Sequence, residues 1–191
     1  METTTFEHKL YPLIIEEQKF KLLDRQRSKE ESRYIITMFH QINGCILTSD
    51  GKRAIKINNA LTLPDGCYEL VSLKKNKTFV EFFLRSMDIQ SPEFSQVWFK
   101  KPKKIAEITI GKGSFLTSAV LDIFQLTKRC IDVEFIEDLI VTKYEEKWEL
   151  LTESGEEENN EKPIILRSGV DKEIEVVMLP YKYEPTKLIA L

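Results

Sequence analysis

Residues 45–57 read CILTSDGKRAIKI: two short apolar runs, Cys45 to Ser49 and Lys52 to Ile57, on either side of Asp50-Gly51. Asp-Gly between two such runs is a strong short-range hairpin signal, because a type I′ turn needs positive φ at both central residues. In the second run Ile55 and Ile57 fall on one face and Ala54 and Lys56 on the other, so the alternation predicts a strand with one wet face. The same grammar extends outward. Pro64-Asp65-Gly66 leads into a run from Cys67 to Leu73, Lys74 to Lys77 form a turn, and Thr78 to Leu84 form the returning run of a second antiparallel hairpin.

Further strands are expected at Val97 to Phe99 and Ile105 to Ile110, separated by Lys100-Lys101-Pro102-Lys103-Lys104. Pro102 cannot donate to a ladder, so that basic stretch is a turn or a sheet edge. After residue 130 the pattern gives strands at Ile131 to Ile136, Leu139 to Tyr144 and Trp148 to Thr152. A polar loop, Glu153 to Lys162, follows, and Ile164 to Arg167 with Glu173 to Leu179 make a last hairpin around Gly169.

One amphipathic helix stands out at 115–129. Leu116, Ala119, Val120, Ile123, Phe124 and Thr127 keep the three-and-four spacing, Ser114 is placed to cap the start, and Lys128 and Arg129 suit the negative end of the helix dipole. A second helix is expected over 13–31, with Ile14, Ile15, Leu22 and Leu23 on one face; the charge of Gln18 to Arg33 equally allows residues 1–33 to be a mobile arm. The expected fold class is therefore α+β, predominantly antiparallel β in about ten short strands, within one globular domain of residues 1–191.

The chain has 191 residues, 42% of them hydrophobic and 10% aromatic, enough to bury a core without disulfides or metals. Seven glycines and two histidines argue against a Gly-rich nucleotide fold and a His-rich metal centre. Cys45, Cys67 and Cys130 form no C-x-x-C pair and read as free thiols in a reducing compartment. Apolar runs such as Val176 to Leu179 are far short of the roughly 20 residues a membrane-spanning helix needs. A cytoplasmic protein with no membrane contact and no cofactor is expected.

Charge is uneven along the chain. Residues 1–112 carry a net +5 and residues 113–191 a net −8, with −10 concentrated in 130–161. Such asymmetry points to surfaces with different partners. The acidic stretch fits a basic protein partner, or a phosphate mimic that blocks a nucleic-acid-binding enzyme, with Tyr144, Glu145, Glu146 and Trp148 as contact residues. The basic, aromatic residues Trp98, Lys100, Lys101, Lys103 and Lys104, extended by Lys74, Lys75 and Lys77, are the nucleic-acid candidate: lysines track phosphates and an exposed ring stacks on an unpaired base.

Weaker constellations are also present. Gly111-Lys112-Gly113-Ser114 between a strand and a helix has the order of an anion-binding loop, with Lys112, Gly113 and Ser114 as the contacts, but it is neither a Walker A loop nor a G-x-G-x-x-G. Asp132 and Glu134, two apart on an expected strand, together with Glu145-Glu146-Lys147 allow a Mg²⁺-dependent nuclease. His8 and His40 lie in different segments with no ligand set beside them, and read as surface or satisfied core histidines. Taken together these features favour a non-catalytic accessory, adaptor or inhibitory subunit that works through protein contacts. A small nucleic-acid-binding subunit is the alternative and a metal-dependent nuclease the third reading.

Overall fold

A computed structural model of the chain describes residues 9–30, 35–58, 63–98, 100–153 and 162–180. The chain groups into two compact units, Met1–Glu93 and Phe94–Leu191. The architecture is α+β and mostly antiparallel β, with ten strands and a few helices among the described residues.

The first unit holds β1 (Leu10–Glu16), α1 (Glu17–Arg25), β2 (Phe39–Ile42), β3 (Cys45–Ser49), β4 (Arg53–Asn58), β5 (Gly66–Lys75) and β6 (Phe79–Met87), with strand order β1-β6-β5-β2-β3-β4. The expected 13–31 helix divides. Ile14 and Ile15 belong to β1, where Ile15 is buried and Ile14 exposed as period-2 alternation requires, while Leu22 and Leu23 are buried on α1. One sheet face carries Phe39, which packs with Phe82 and with Phe20 of α1 at ring-centroid separations of 5.9 and 6.4 Å. Thr48 Oγ1 donates to the Leu23 carbonyl at 2.6 Å and joins β3 to the helix.

The Asp50-Gly51 hairpin forms, but not as a type I′ turn. Ser49 pairs with Ala54, and only Gly51 has positive φ (87°), the pattern of type II′ with Gly51-Lys52 as the central pair. Asp50 Oδ1 accepts from the backbone N–H groups of Lys52 and Arg53 and closes the turn. The type I′ pattern sits one hairpin earlier, where Asn43 (φ 52°) and Gly44 (φ 77°) join β2 to β3. The wet face expected of this hairpin is largely covered: Ala54, Leu47 and Ser49 are buried along with Ile55 and Ile57.

The second unit holds β7 (Pro102–Ile110), α2 (Ser114–Thr127), α3 (Val133–Glu137), β8 (Glu146–Glu153), β9 (Ile164–Ser168) and β10 (Ile174–Met178), in the order β10-β9-β8-β7. Val97 lies in a turn after a 3₁₀ segment at Phe94–Gln96 rather than in a strand, and Phe99 lies outside the described residues. The strand expected at 131–136 is α3: the Asp132 carboxylate accepts from the Glu134 N–H, an N-cap that turns the chain helical. Residues 139–144 are irregular. Most of the polar loop expected at 153–162 lies outside the described residues.

A helix spans Ser114–Thr127; of the expected stripe Ala119 and Ile123 are buried, Leu116, Val120 and Thr127 half-buried and Phe124 exposed, and Phe115, Leu121 and Leu126, outside the stripe, are exposed apolar residues. Gly113, not Ser114, is the N-cap, and no side chain caps it. At the other end Lys128 adopts the left-handed conformation and its Nζ donates to the Gln125 carbonyl at 2.9 Å.

The Gly169 turn shows how tightly the second unit is joined. The Gly169 N–H donates to the Lys147 carbonyl at 2.7 Å, and a Cβ on Gly169 would lie 2.5 Å from that oxygen. Gly169→Ala is expected to destabilise the chain by about 1–3 kcal/mol, because two backbones must separate to admit the methyl. A urea midpoint within error of wild type would contradict this.

Candidate functional site

Lys74 and Lys75 extend β5 rather than sitting in the turn, which is formed by residues 76–78, with the Asn76 N–H donating to Phe79 O at 2.9 Å. Lys74 pairs in register with Glu81, and Lys74, Lys75 and Lys77 are all exposed. These three belong to the first unit. In the second unit Lys100, Lys101, Lys103 and Lys104 are exposed, the last two on β7, which ends the strand order of its unit.

These residues are not equivalent. Lys104 Nζ lies 3.2 Å from Glu149 Oε1 and 3.4 Å from Glu107 Oε2, and the hydrogen bond to Glu149, ahead of that to Glu107, raises its pKa. Glu107 is paired with Lys147 at 2.8 Å, and Glu149 with Lys172 at 2.7 Å. Hydrogen bonds from those two lysines are the main reason each carboxyl is held below its ordinary range. Lys104 is therefore engaged within a charged ladder. Lys101 keeps its side chain exposed while its backbone N–H donates to Glu153 Oε1 at 2.9 Å.

The ladder continues across the sheet. Glu107, Glu149, Arg167 and Glu175 are successive cross-strand neighbours on β7, β8, β9 and β10. Arg167 holds Glu175 Oε1 at 2.7 and 2.9 Å, and the Trp98 indole N–H donates to Glu175 Oε2 at 3.0 Å. Trp98, expected to be a free stacking platform, is instead half-buried and tied through its nitrogen to a buried carboxylate. Two cationic or donor groups on one carboxylate satisfy the charge that burial would otherwise penalise.

The acidic candidates separate in the same way. Tyr144 is 66% exposed, with the Lys143 ammonium 5.0 Å from its ring centroid. Glu145 is exposed, and Glu146 accepts from Thr142 Oγ1 at 3.0 Å. Trp148, in contrast, is a core residue at 1% exposure, paired in register with Ile108 and Ser168, and presents nothing to a partner.

The glycine loop before α2 is flanked by acid. A Cβ on Gly111 would meet Glu145 Cγ at 3.1 Å, so an acidic side chain packs against the loop expected to cradle an anion. Lys112, Gly113 and Ser114 are exposed. Asp132 and Glu134, a strand-face pair in the nuclease scheme, are instead an N-cap and a helical residue. Among the described residues no three His, Cys, Asp or Glu side chains converge as a metal set. No described helix is long and apolar enough to cross a membrane.

One constellation has no counterpart in the sequence signals. His40 pairs across strands with both Leu47 on β3 and Cys67 on β5, on the sheet face opposite Phe39. Its Nδ1 lies 3.3 Å from Ser91 Oγ and 3.4 Å from Cys67 Sγ, and Ser91 Oγ is 3.1 Å from the same sulfur. His40 Nε2 is 3.1 Å from the Ile35 carbonyl, which can only accept, so the proton sits on Nε2 and Nδ1 accepts from the thiol or the hydroxyl. Burial pushes His40 down to about 4 and pushes the Cys67 thiol up, so at neutral pH both are uncharged. A neutral, buried thiol beside a neutral imidazole is a structural hydrogen-bond cluster rather than an activated nucleophile.

No family model matches the chain, and no curated protein matches it. Solved structures do match. The DNA polymerase sliding clamp from Bacillus subtilis superposes with a TM-score of 0.54 at 16% identity, covering 94% of this chain and 66% of that one. DNA polymerase III subunit beta from Borrelia burgdorferi, in complex with a natural product, gives 0.57 at 9% identity over 96% and 66%. The Helicobacter pylori beta clamp bound to a DNA ligase peptide gives 0.50 at 12% over 95% and 68%. The chain thus spans about two thirds of the length of these clamps, and the likeness is one of fold.

Proposed function

We propose that the chain is a non-catalytic interaction subunit that uses a sliding-clamp-like fold to present surfaces to partner proteins. The observation that carries this is the fold likeness across nearly the whole chain, in a group where the Helicobacter pylori structure holds a DNA ligase peptide. Tyr144, Glu145 and Glu146 supply the surface: an aromatic side chain beside carboxylates, in a region of net charge −10 that attracts a basic segment. Tagged protein recovered from its native source at low salt should retain a partner that Tyr144→Ala with Glu145→Lys and Glu146→Lys loses. Identical recovery by wild type and variant, at low and high salt, would remove this surface.

A second reading has its own support, because Lys100, Lys101 and Lys103 are exposed on or just before an edge strand while only Lys104 is consumed by carboxylates. Single-stranded DNA binding should then weaken with salt, and Lys100→Ala, Lys101→Ala and Lys103→Ala together should reduce the log–log salt slope by about 0.7 for each phosphate no longer neutralised. An unchanged slope would assign these lysines to edge protection alone.

A further inference from the structure

We infer that residues 88–93 form a strap that closes over Cys67 through the Ser91 side chain and lifts off the sheet while the sheet itself stays folded. These residues follow β6, contain no helix or strand, and lead to the boundary between the two units at Glu93. Ser91 Oγ reaches groups on two separate strands, His40 Nδ1 on β2 at 3.3 Å and Cys67 Sγ on β5 at 3.1 Å. The thiol beneath is only 1% exposed although β5 lies between β2 and β6 and its Cys67 side chain points away from the α1 face.

Two energetic facts make the strap the part that moves. The sheet below is held by ladders between β5 and β6 and between β2 and β5, and by a packed aromatic cluster on its other face. An irregular segment tied through side-chain hydrogen bonds belongs to the low-stability end of a protein's local openings, whereas paired central strands open only with the whole unit. Sulfur is also a weak hydrogen-bond partner, so the tie to Cys67 is the weaker kind. Opening breaks the Ser91 ties to His40 and Cys67 and moves six residues whose apolar side chains are Ile89 and Pro92. Closing restores a cluster in which every hydrogen-bonding atom is engaged: Nε2 on Ile35, and Nδ1, Sγ and Oγ on one another. The strap is in this way a latch, and Cys67 is the built-in reporter of its state.

Thiol labelling tests this in full-length protein carrying Cys45→Ser and Cys130→Ser, which leaves Cys67 as the single cysteine. The probe is Ellman's reagent, followed by the thionitrobenzoate released when the Cys67 thiolate displaces it. In low urea the labelling rate should depend far less on denaturant than global unfolding does, because only six residues move, and should turn steeply upward only near the unfolding midpoint. Ser91→Ala should raise the low-urea rate about tenfold, the loss of one to two ordinary hydrogen bonds from the closed state. Hydrogen exchange should show the amides of β2 and β5 still protected in that variant, so that the faster labelling comes from the strap and not from the sheet. The inference fails if labelling rises from zero urea with the same slope as global unfolding. It fails equally if Ser91→Ala leaves the labelling rate unchanged, or raises it only together with exchange of the β2 and β5 amides.

Discussion

Acidification from pH 7 to pH 4 is expected to lower the unfolding free energy by about 3 kcal/mol through His40 alone. Its folded-state value is pushed down to about 4 from an ordinary 6.5, chiefly by burial, with the hydrogen bond to the Ile35 carbonyl pulling the other way. At roughly 1.4 kcal/mol per pH unit the difference amounts to about 3 kcal/mol. The sign follows from where the proton binds. Between pH 6.5 and 4 the unfolded chain takes a proton at this imidazole and the folded chain does not, so stability falls as pH drops through that window and levels off below it. Described groups that face the ring include Cys67 on β5, Leu47 on β3, Ser91 on the strap and the Ile35 carbonyl, each uncharged at neutral pH. Urea midpoints measured from pH 7 to pH 4 for wild type and His40→Leu check this. The variant is less stable at pH 7, since Ser91 and Ile35 lose a partner, but its profile should be flatter by about 3 kcal/mol over the window. Carboxylates titrate equally in both proteins and cancel in the difference. Parallel profiles would show that His40 is not the titrating group.

The burial behind that effect also explains how much of the molecule is legible in its sequence. Strand alternation and turn residues are local, so the β-rich class and most hairpins can be read directly, including β3 with β4 and β5 with β6. Asn43-Gly44 carries a type I′ signal as well, but the apolar run before it is only four residues long and the signal is correspondingly faint. Residues 131–136 mislead for a different reason: Ile131, Val133 and Phe135 alternate like a strand, and only the Asp132 carboxylate on the Glu134 N–H turns them into α3. Side-chain sites depend on pairings no sequence window contains. Trp98 and Glu175 stand 77 residues apart, His40 and Cys67 27 apart, and Cys67 and Ser91 24 apart. Composition places the lysines on the surface; it does not show that Lys104 is consumed by Glu149 and Glu107 while Lys100, Lys101 and Lys103 remain exposed.

Trp148 carries the other large effect, and it separates a core residue from an interface anchor. It is 1% exposed on β8, opposite Ile108 on one side and Ser168 on the other, and its Nε1 is buried without a hydrogen-bond partner among the described residues. Trp148→Ala should destabilise the chain by about 3–5 kcal/mol, the lost transfer energy of the indole plus the cavity left in a core that relaxes only partly. Trp148→Phe should cost less than about 1.5 kcal/mol. It keeps most of the apolar volume and removes a desolvated donor whose burial costs about 1–3 kcal/mol by itself. A surface anchor would behave otherwise: truncation to alanine would leave stability within about 0.5 kcal/mol and act on partner recovery instead. Urea unfolding followed by far-ultraviolet circular dichroism, which does not depend on the indole, distinguishes the two. A midpoint for Trp148→Ala close to that of wild type would move this residue back to the surface and restore it to the partner-contact group with Tyr144.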